Sequence, residues 1–180
     1  MLSAADMRKL GERRWAVPVL AALAAEGGGA RYIVMLNRLG CARSALSSAL
    51  DQLTTNGWVA RNPGHGHPLR PEYILTDKGA TVALHAQNIS NASANLGLGP
   101  ATFQRWTLPL AFELRSSPRR FAQLKSELIP ATPRALSLTL KQMMTNELVV
   151  RDIVEDFPPV PLYGLTERGR ELAGAIQGAA

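Results

Sequence analysis

The residues with most chemistry to offer stand in two rows. Arg134, Ser137, Lys141 and Thr145 follow one another at spacings of three and four, and Ser44, Ser47, Asp51 and Thr55 repeat the pattern 90 positions earlier. On a helix, that spacing puts each row on one face as a strip of hydroxyls and charges. Such a strip suits the acceptor-bearing base edges and phosphates of a nucleic acid. More donors flank the rows: Arg43, Ser48 and Gln52 beside the first, Thr132 and Gln142 beside the second, and Arg61 and Arg151 beyond them. The repeated glutamine could address adenine in bidentate fashion, and the arginines could grip phosphates. Polar residues opposite a packed stripe are also the ordinary solvent face of any surface helix, so the rows gain meaning only from the fold that holds them.

Other chemistries find less support. No nucleophile, base and orienting residue fall into a recognisable motif, and neither a phosphate loop nor a dinucleotide fingerprint occurs, so neither catalysis nor a cofactor is expected. His65 and His67 with Cys41 lack a further ligand at any recognised metal spacing, which favours solvated or phosphate-facing histidines. Cys41 is the single cysteine, which excludes an internal disulfide or a cysteine zinc cluster; a buried inert thiol in a reducing cytoplasm is the simplest reading. Twenty Lys and Arg against fourteen Asp and Glu leave a net charge of +6, which makes a polyanion the first partner to consider. The longest apolar stretch, residues 15–25, is about half the ~20 residues of a membrane span and contains Pro18, so no membrane partner is expected. Hydrophobic residues at 46% suffice for packed cores, and the 180-residue length allows one large domain or two small ones.

Self-similarity settles which. Arg14-Trp15-Ala16-Val17-Pro18-Val19 returns as Arg105-Trp106-Thr107-Leu108-Pro109-Leu110, at an offset of 91. Arg13-Arg14 before an apolar run has the look of an export signal, but an export signal has no reason to recur mid-chain. Over residues 44–79 the offset is 90, with identities at Leu46 and Leu136, Leu50 and Leu140, Gln52 and Gln142, Tyr73 and Tyr163, and Gly79 and Gly169. The chain is a tandem duplication, read as domains 1–95 and 96–180 joined near 87–99, where Asn, Ser and Gly break the apolar period.

Within each copy the period is first helical. One helix carries Trp15 or Trp106, a short second helix carries Tyr32, Met35 and Leu39 or Phe121, Leu124 and Leu128, and the third carries the polar row. Thr132-Pro133 marks the start of the third helix in the second copy, as a capping hydroxyl before a proline at the first helical position. The period then changes to two around Val59 and Val149, and again around Tyr73 and Tyr163, predicting a β-hairpin with a tip of about ten residues. Thr76 or Thr166 opens a closing helix, with Asp77 or Glu167 in its first turn. The expected fold is mainly α with small β-hairpin wings: two tandem winged helix-turn-helix domains.

At this point the sequence resembles the HxlR family of bacterial winged-helix transcription regulators. The family pattern has a tryptophan in helix one, an aromatic entering helix two, Leu-Ser-x-x-Leu-x-x-Leu in helix three, and a wing of Pro-Pro-x-x-x-Tyr-x-Leu-Thr-x-x-Gly. The second copy matches with Trp106, Phe121, Leu136-Ser137, Leu140, Met143, Pro158-Pro159, Tyr163, Leu165-Thr166 and Gly169. The first matches with Trp15, Tyr32, Leu46-Ser47, Leu50, Leu53, Pro68, Tyr73, Leu75-Thr76 and Gly79. The resemblance implies a sequence-specific, double-stranded-DNA-binding regulator. Family members usually carry one such domain and dimerise through terminal helices, so the tandem halves are read as an internal pseudo-dimer. Members that sense oxidants use a cysteine just before helix one, and residues 7–14 hold none.

The copies are not equivalent. Residues 1–95 carry ten basic and six acidic side chains and residues 96–180 carry ten and eight. His65, His67 and Arg70 make the first wing basic, whereas Glu155 and Asp156 make the second acidic, and Lys141 stands where the first copy has Asp51. These inequalities predict an imperfectly palindromic operator. They also keep open a rival of another class, a tandem winged-helix adaptor that binds protein rather than specific DNA, as in the bacterial segregation-and-condensation protein B. Homodimerisation and a small-molecule effector of unknown identity stay open; Trp15 and Trp106 could line an effector pocket, although a core role is simpler.

Overall fold

The computed structural model describes residues 2–62, 72–154 and 159–178. The chain forms two compact units, Arg13–Asn91 and a second that joins Met1–Glu12 to Ala92–Ala180. The expected boundaries put residues 1–12 with the first copy; a helix unforeseen in the sequence, α1 (Ala4–Gly11), instead packs on the second unit. Its cause is local and then tertiary. The Ser3 hydroxyl accepts from the Asp6 amide at 3.2 Å while the Asp6 carboxylate accepts from the Ser3 amide at 3.0 Å, a reciprocal cap. Met7 and Leu10 are then buried on one face.

The unit Arg13–Asn91 runs α2 (Ala16–Ala25), β1 (Gly29–Ala30), α3 (Tyr32–Leu39), α4 (Arg43–Thr55), β2 (Val59–Arg61), β3 (Tyr73–Leu75) and most of α5 (Asp77–Asn95). Leu20, Leu23, Met35, Leu46, Leu50 and Leu53 close its core around the fully buried Trp58. The other unit adds a 3₁₀ turn at Pro100–Thr102 and then α6 (Thr107–Leu114), β4 (Arg119–Arg120), α7 (Phe121–Glu127), α8 (Pro133–Thr145), β5 (Val149–Val154), β6 (Val160–Leu165) and α9 (Glu167–Gln177). Its core repeats the arrangement with Leu110, Leu124, Leu136, Leu140, Met143 and Leu148. Each such leucine contributes roughly 1.5–3 kcal/mol on burial, so helix three of each copy is held by its apolar stripe rather than by propensity.

The duplication extends to the hydrogen-bonded register. Val59 faces Leu75 and Arg61 faces Tyr73 in one sheet; Val149 faces Leu165 and Arg151 faces Tyr163 in the other. Each sheet has three strands, because the pairs Gly29–Ala30 and Arg119–Arg120 add to the hairpin on the side away from β2 or β5. The expected ten-residue tip does not hold for the second wing. There the six-residue strands β5 and β6 continue pairing out to Val154 and Val160, leaving 155–159 between them.

The Leu-Thr-x-x-Gly motif has a direct structural cause. Thr76 donates its hydroxyl to the Gly57 carbonyl at 2.7 Å and accepts from the Gly79 amide at 3.0 Å. Thr166 does the same with Glu147 at 2.5 Å and Gly169 at 3.0 Å. These bonds draw the closing helix so near the chain leaving helix three that a Cβ on Gly79 would lie 1.7 Å from the Trp58 carbonyl oxygen. On Gly169 it would lie 2.0 Å from that of Leu148. Only glycine fits either position.

Candidate nucleic-acid interface

Helix α4 buries Leu46, Ala49, Leu50 and Leu53, and α8 buries Leu136, Thr139, Leu140 and Met143. The opposite row is exposed in both: Ser44, Ser47, Asp51 and Thr55 on α4, Arg134, Ser137, Lys141 and Thr145 on α8. Arg43 is also exposed, at the first position of α4. Gln52 and Gln142 sit differently from the expected outward glutamines. Both are half-buried at the flank of the row, and the Gln52 Oε1 is withdrawn from solvent. Ser48 is half-buried as well.

The two helices start by different means. Thr132 caps α8, its hydroxyl accepting from the Ala135 amide at 3.2 Å, with Pro133 at the first helical position. Ala42 offers α4 no such bond. The Tyr32 hydroxyl does the holding instead, donating to the Arg43 carbonyl at 2.9 Å and lying 3.2 Å from the Ser47 hydroxyl. Ser47 is therefore a donor already steered by a neighbour. In the second copy Phe121 has no hydroxyl for this task, and its ring lies 6.5 Å from that of Tyr163.

Arg61 and Arg151 are exposed on β2 and β5, each across from a tyrosine of the wing. Burial pushes the Tyr73 phenol up from its ordinary value, a shift that Arg61 opposes and that Glu72, Asp51 and Tyr32 reinforce. Tyr73 thus stays neutral through the physiological range, beside a mixed set of charges. The Glu72 carboxylate also accepts from the Tyr32 amide at 2.9 Å, tying the first wing to the start of helix two.

His65, His67 and Arg70 lie outside the described residues, as do Glu155 and Asp156, so the basic-against-acidic comparison of the wing tips is carried by sequence alone. Cys41 is half-buried in the turn before α4. The sequence reading placed Tyr32 on the period of helix two, as the aromatic that enters it, and missed its hydroxyl. It also passed over Arg31 and Arg120, exposed immediately before helix two in each copy. Their signal was present, since both directly precede the paired aromatics Tyr32 and Phe121. No helix among the described residues is long and apolar enough to cross a membrane.

With the two equivalent units in view, comparison with known proteins decides the family: the HxlR-like helix-turn-helix family matches residues 10–96 and again residues 102–179. The chain belongs to that family. It carries the HxlR-like unit twice, in line with the resemblance read from the motifs. An uncharacterized HTH-type transcriptional regulator of Synechocystis sp. is 35% identical over 68 residues, covering 38% of this chain and 50% of that protein. The HTH-type regulator YvaP of Bacillus subtilis, also uncharacterized, is 31% identical, covering 39% and 65%. YodB of the same organism, an HTH-type transcriptional regulator, is 28% identical, covering 41% and 66%. The chain thus spans half to just under two-thirds of the length of these relatives. Among solved structures, a MarR-family transcriptional regulator from Enterococcus faecalis V583 is similar at 28% identity and a TM-score of 0.40, over 57% of this chain and 82% of that one. A second, from Porphyromonas gingivalis W83, gives 22% and 0.41, over 49% and 82%.

Proposed function

We propose that the chain is a sequence-specific DNA-binding transcription regulator whose two non-identical recognition helices, α4 and α8, act as an internal pseudo-dimer on one duplex. The observation that carries this reading is the paired exposed row. Two helices, each anchored by a buried apolar stripe, offer hydroxyl donors at the same positions of a duplicated winged unit, with Arg43 as the exposed cation at the start of α4 and Arg134 and Lys141 as those of α8. A helix of this kind fits the major groove, where its hydroxyls and cations meet base edges and phosphates. Two of them reading successive grooves require half-sites about one turn, ~34 Å, apart. The rows differ at Asp51 and Lys141, so the half-sites differ and α8 carries more of the phosphate attraction.

The test is a mobility-shift titration against upstream DNA and random duplex over a range of salt. Upstream DNA is expected to bind at least about tenfold tighter, as base readout requires. Charge reversal of both Arg134 and Lys141 to Glu is expected to weaken binding and flatten the dependence of log K on log salt, by roughly one unit of slope for each phosphate that is released. Unchanged affinity in that variant removes α8 from the interface.

One observation favours a protein-binding reading instead. Val150, Ile153 and Val154 are exposed on the edge strand β5, at 41%, 65% and 42%, apolar side chains to either side of Arg151 and Asp152 that a phosphate backbone does not need. A pull-down that yields one stoichiometric protein partner, together with no preference for any DNA, would decide for an adaptor.

A further inference from the structure

Beside the start of α8, the unit containing Met1–Glu12 and Ala92–Ala180 carries two adjoining hollows. One of about 420 Å³ is lined by Gln104, Arg105, Trp106, Pro130, Thr132 and Leu138, together with Ala135 and Thr139 of α8. The other, about 450 Å³, shares Arg105, Trp106 and Pro130 and extends to Arg8, Lys9, Glu12 and Ile129. Both fall in the size range of small-molecule sites.

The charges select an occupant for the first hollow. Among the described residues that line it, Arg105 alone is ionisable. Its guanidinium lies 5.4 Å from the centroid of the Trp106 ring, and no carboxylate pairs with it among the described residues. Stacking on a ring occupies the face of a guanidinium and leaves its in-plane N–H fork available to an anion. Gln104 and Thr132 add polar groups to the lining, and Trp106, Pro130, Ala135 and Leu138 make the rest of it largely apolar. Leu138 at the first hollow is 55% exposed and Ile129 at the second is 66% exposed, large side chains whose surface an occupant would remove from water. One cation with apolar walls fits one negative charge on a flat apolar body. A second negative charge reaching the neighbouring hollow would meet Glu12 as well as Arg8 and Lys9.

We infer that the first hollow binds a small aromatic monocarboxylate, its carboxylate on Arg105 with the Gln104 amide and Thr132 hydroxyl as further donors, its ring against Pro130, Leu138 and Trp106. The first copy keeps Arg14 and Trp15 but replaces Pro130, Leu138 and Thr139 by Gly40, Ser48 and Ala49, so the site belongs to the second copy alone. The inference concerns the chain without DNA and is independent of the DNA-binding reading.

Calorimetric titration of the full chain with trans-cinnamate tests it, with cinnamamide and inorganic phosphate as probes lacking the charge or the ring. Saturable binding of one cinnamate per chain is expected, with both other probes weaker by about tenfold or more, the usual worth of a charge-assisted bidentate contact. Arg105→Gln should cost cinnamate a similar factor, and Leu138→Ser about threefold, as apolar cover is removed. Both residues are exposed, so both variants should melt where the parent does; if Arg105→Gln melts early, the cinnamamide comparison carries the test without it. Absence of saturable cinnamate binding at millimolar concentration, equal binding of the amide, or unchanged affinity in a folded Arg105→Gln variant would overturn the inference.

Discussion

Helices α4 and α8 hold their exposed rows in equivalent places by different fastenings. Helix α8 is secured from its own sequence, by the Thr132 hydroxyl on the Ala135 amide and the fixed backbone of Pro133. Helix α4 has alanine at the cap and is secured from another element, by the Tyr32 hydroxyl on the Arg43 carbonyl. A local fastening survives loss of neighbours, whereas a tertiary one ties the helix start to the position of α3 and, through the Tyr32 amide and Glu72, to the wing. Duplication thus preserved the outward placing of the row, and its Ser47/Ser137 and Thr55/Thr145 hydroxyls, while the means of holding the helix diverged.

The comparison can be broken most severely where the copies are most alike. Gly79→Ala and Gly169→Ala each drive a methyl into a backbone carbonyl, and each is expected to cost about 3 kcal/mol or more, beyond ordinary overpacking because backbone must move. A melt followed by circular dichroism reads this as a drop of well over 10 °C at roughly 4–8 °C per kcal/mol for units of this size. If only one of the two variants collapses, the units are less equivalent than their geometry.

The next largest effects sharpen the contrast between fastenings. Thr132→Ala is expected to cost about 1 kcal/mol through removal of the cap. Tyr32→Phe should cost about the same through removal of the hydroxyl bond. The discriminating measurement is amide hydrogen exchange. Thr132→Ala should loosen only the first turn of α8, whereas Tyr32→Phe should loosen the start of α4 together with Glu72 and the wing strand β3 that follows it. Equal, purely local effects would mean that the two fastenings work alike.

Smaller again is the turn after each recognition helix. Gly57 sits there at a φ of 70°, and Glu147, its counterpart, at 56°. Left-handed backbone is strained for glutamate, so Glu147→Gly is expected to raise stability by up to about 1 kcal/mol. The exposed ion pair of Glu147 with Arg168, at 3.9 Å, subtracts little from that gain.

The smallest effect is one of pH. Burial and the nearby Glu127 raise the Glu113 carboxyl above its ordinary value of 4.5, against Arg115, Arg119 and Arg8. The folded chain then keeps that proton to higher pH than the unfolded chain. The stability it contributes is full below 4.5 and fades as pH rises through the elevated value. Glu113→Gln should therefore flatten the stability profile just above pH 4.5, a shift of a degree or two in a pH series of melts.

The parts legible in the sequence were those with a period. The duplication, the apolar stripes Leu46-Leu50-Leu53 and Leu136-Leu140-Met143, the Thr132 cap and the hairpin strands near Tyr73 and Tyr163 all leave marks at fixed spacing. What stayed hidden had no period or had a distant partner. Two-residue strands such as Gly29–Ala30 and Arg119–Arg120 are too short to alternate. Helix α1 showed its cap, Ser3 with Asp6, but nothing in residues 1–12 says that their partner surface begins some 90 residues later. The long second wing escaped because Val149, Val150, Arg151, Asp152, Ile153 and Val154 do not alternate, and most are exposed. In the site, the exposed rows were readable from spacing, whereas the role of the Tyr32 hydroxyl and the half-buried flank of Gln52 depend on where α3 and the wing come to rest.

The threonine that opens each closing helix stitches three pieces of chain at one point. In the second copy it binds the turn leaving the recognition helix, its amide donates to the carbonyl of Leu148 at the foot of the wing, and its oxygen takes the amide of the glycine beyond. A tilt of α8 must therefore drag its wing along, so the unit can rock on a surface only as a single lever, never as a helix sliding past a stationary sheet.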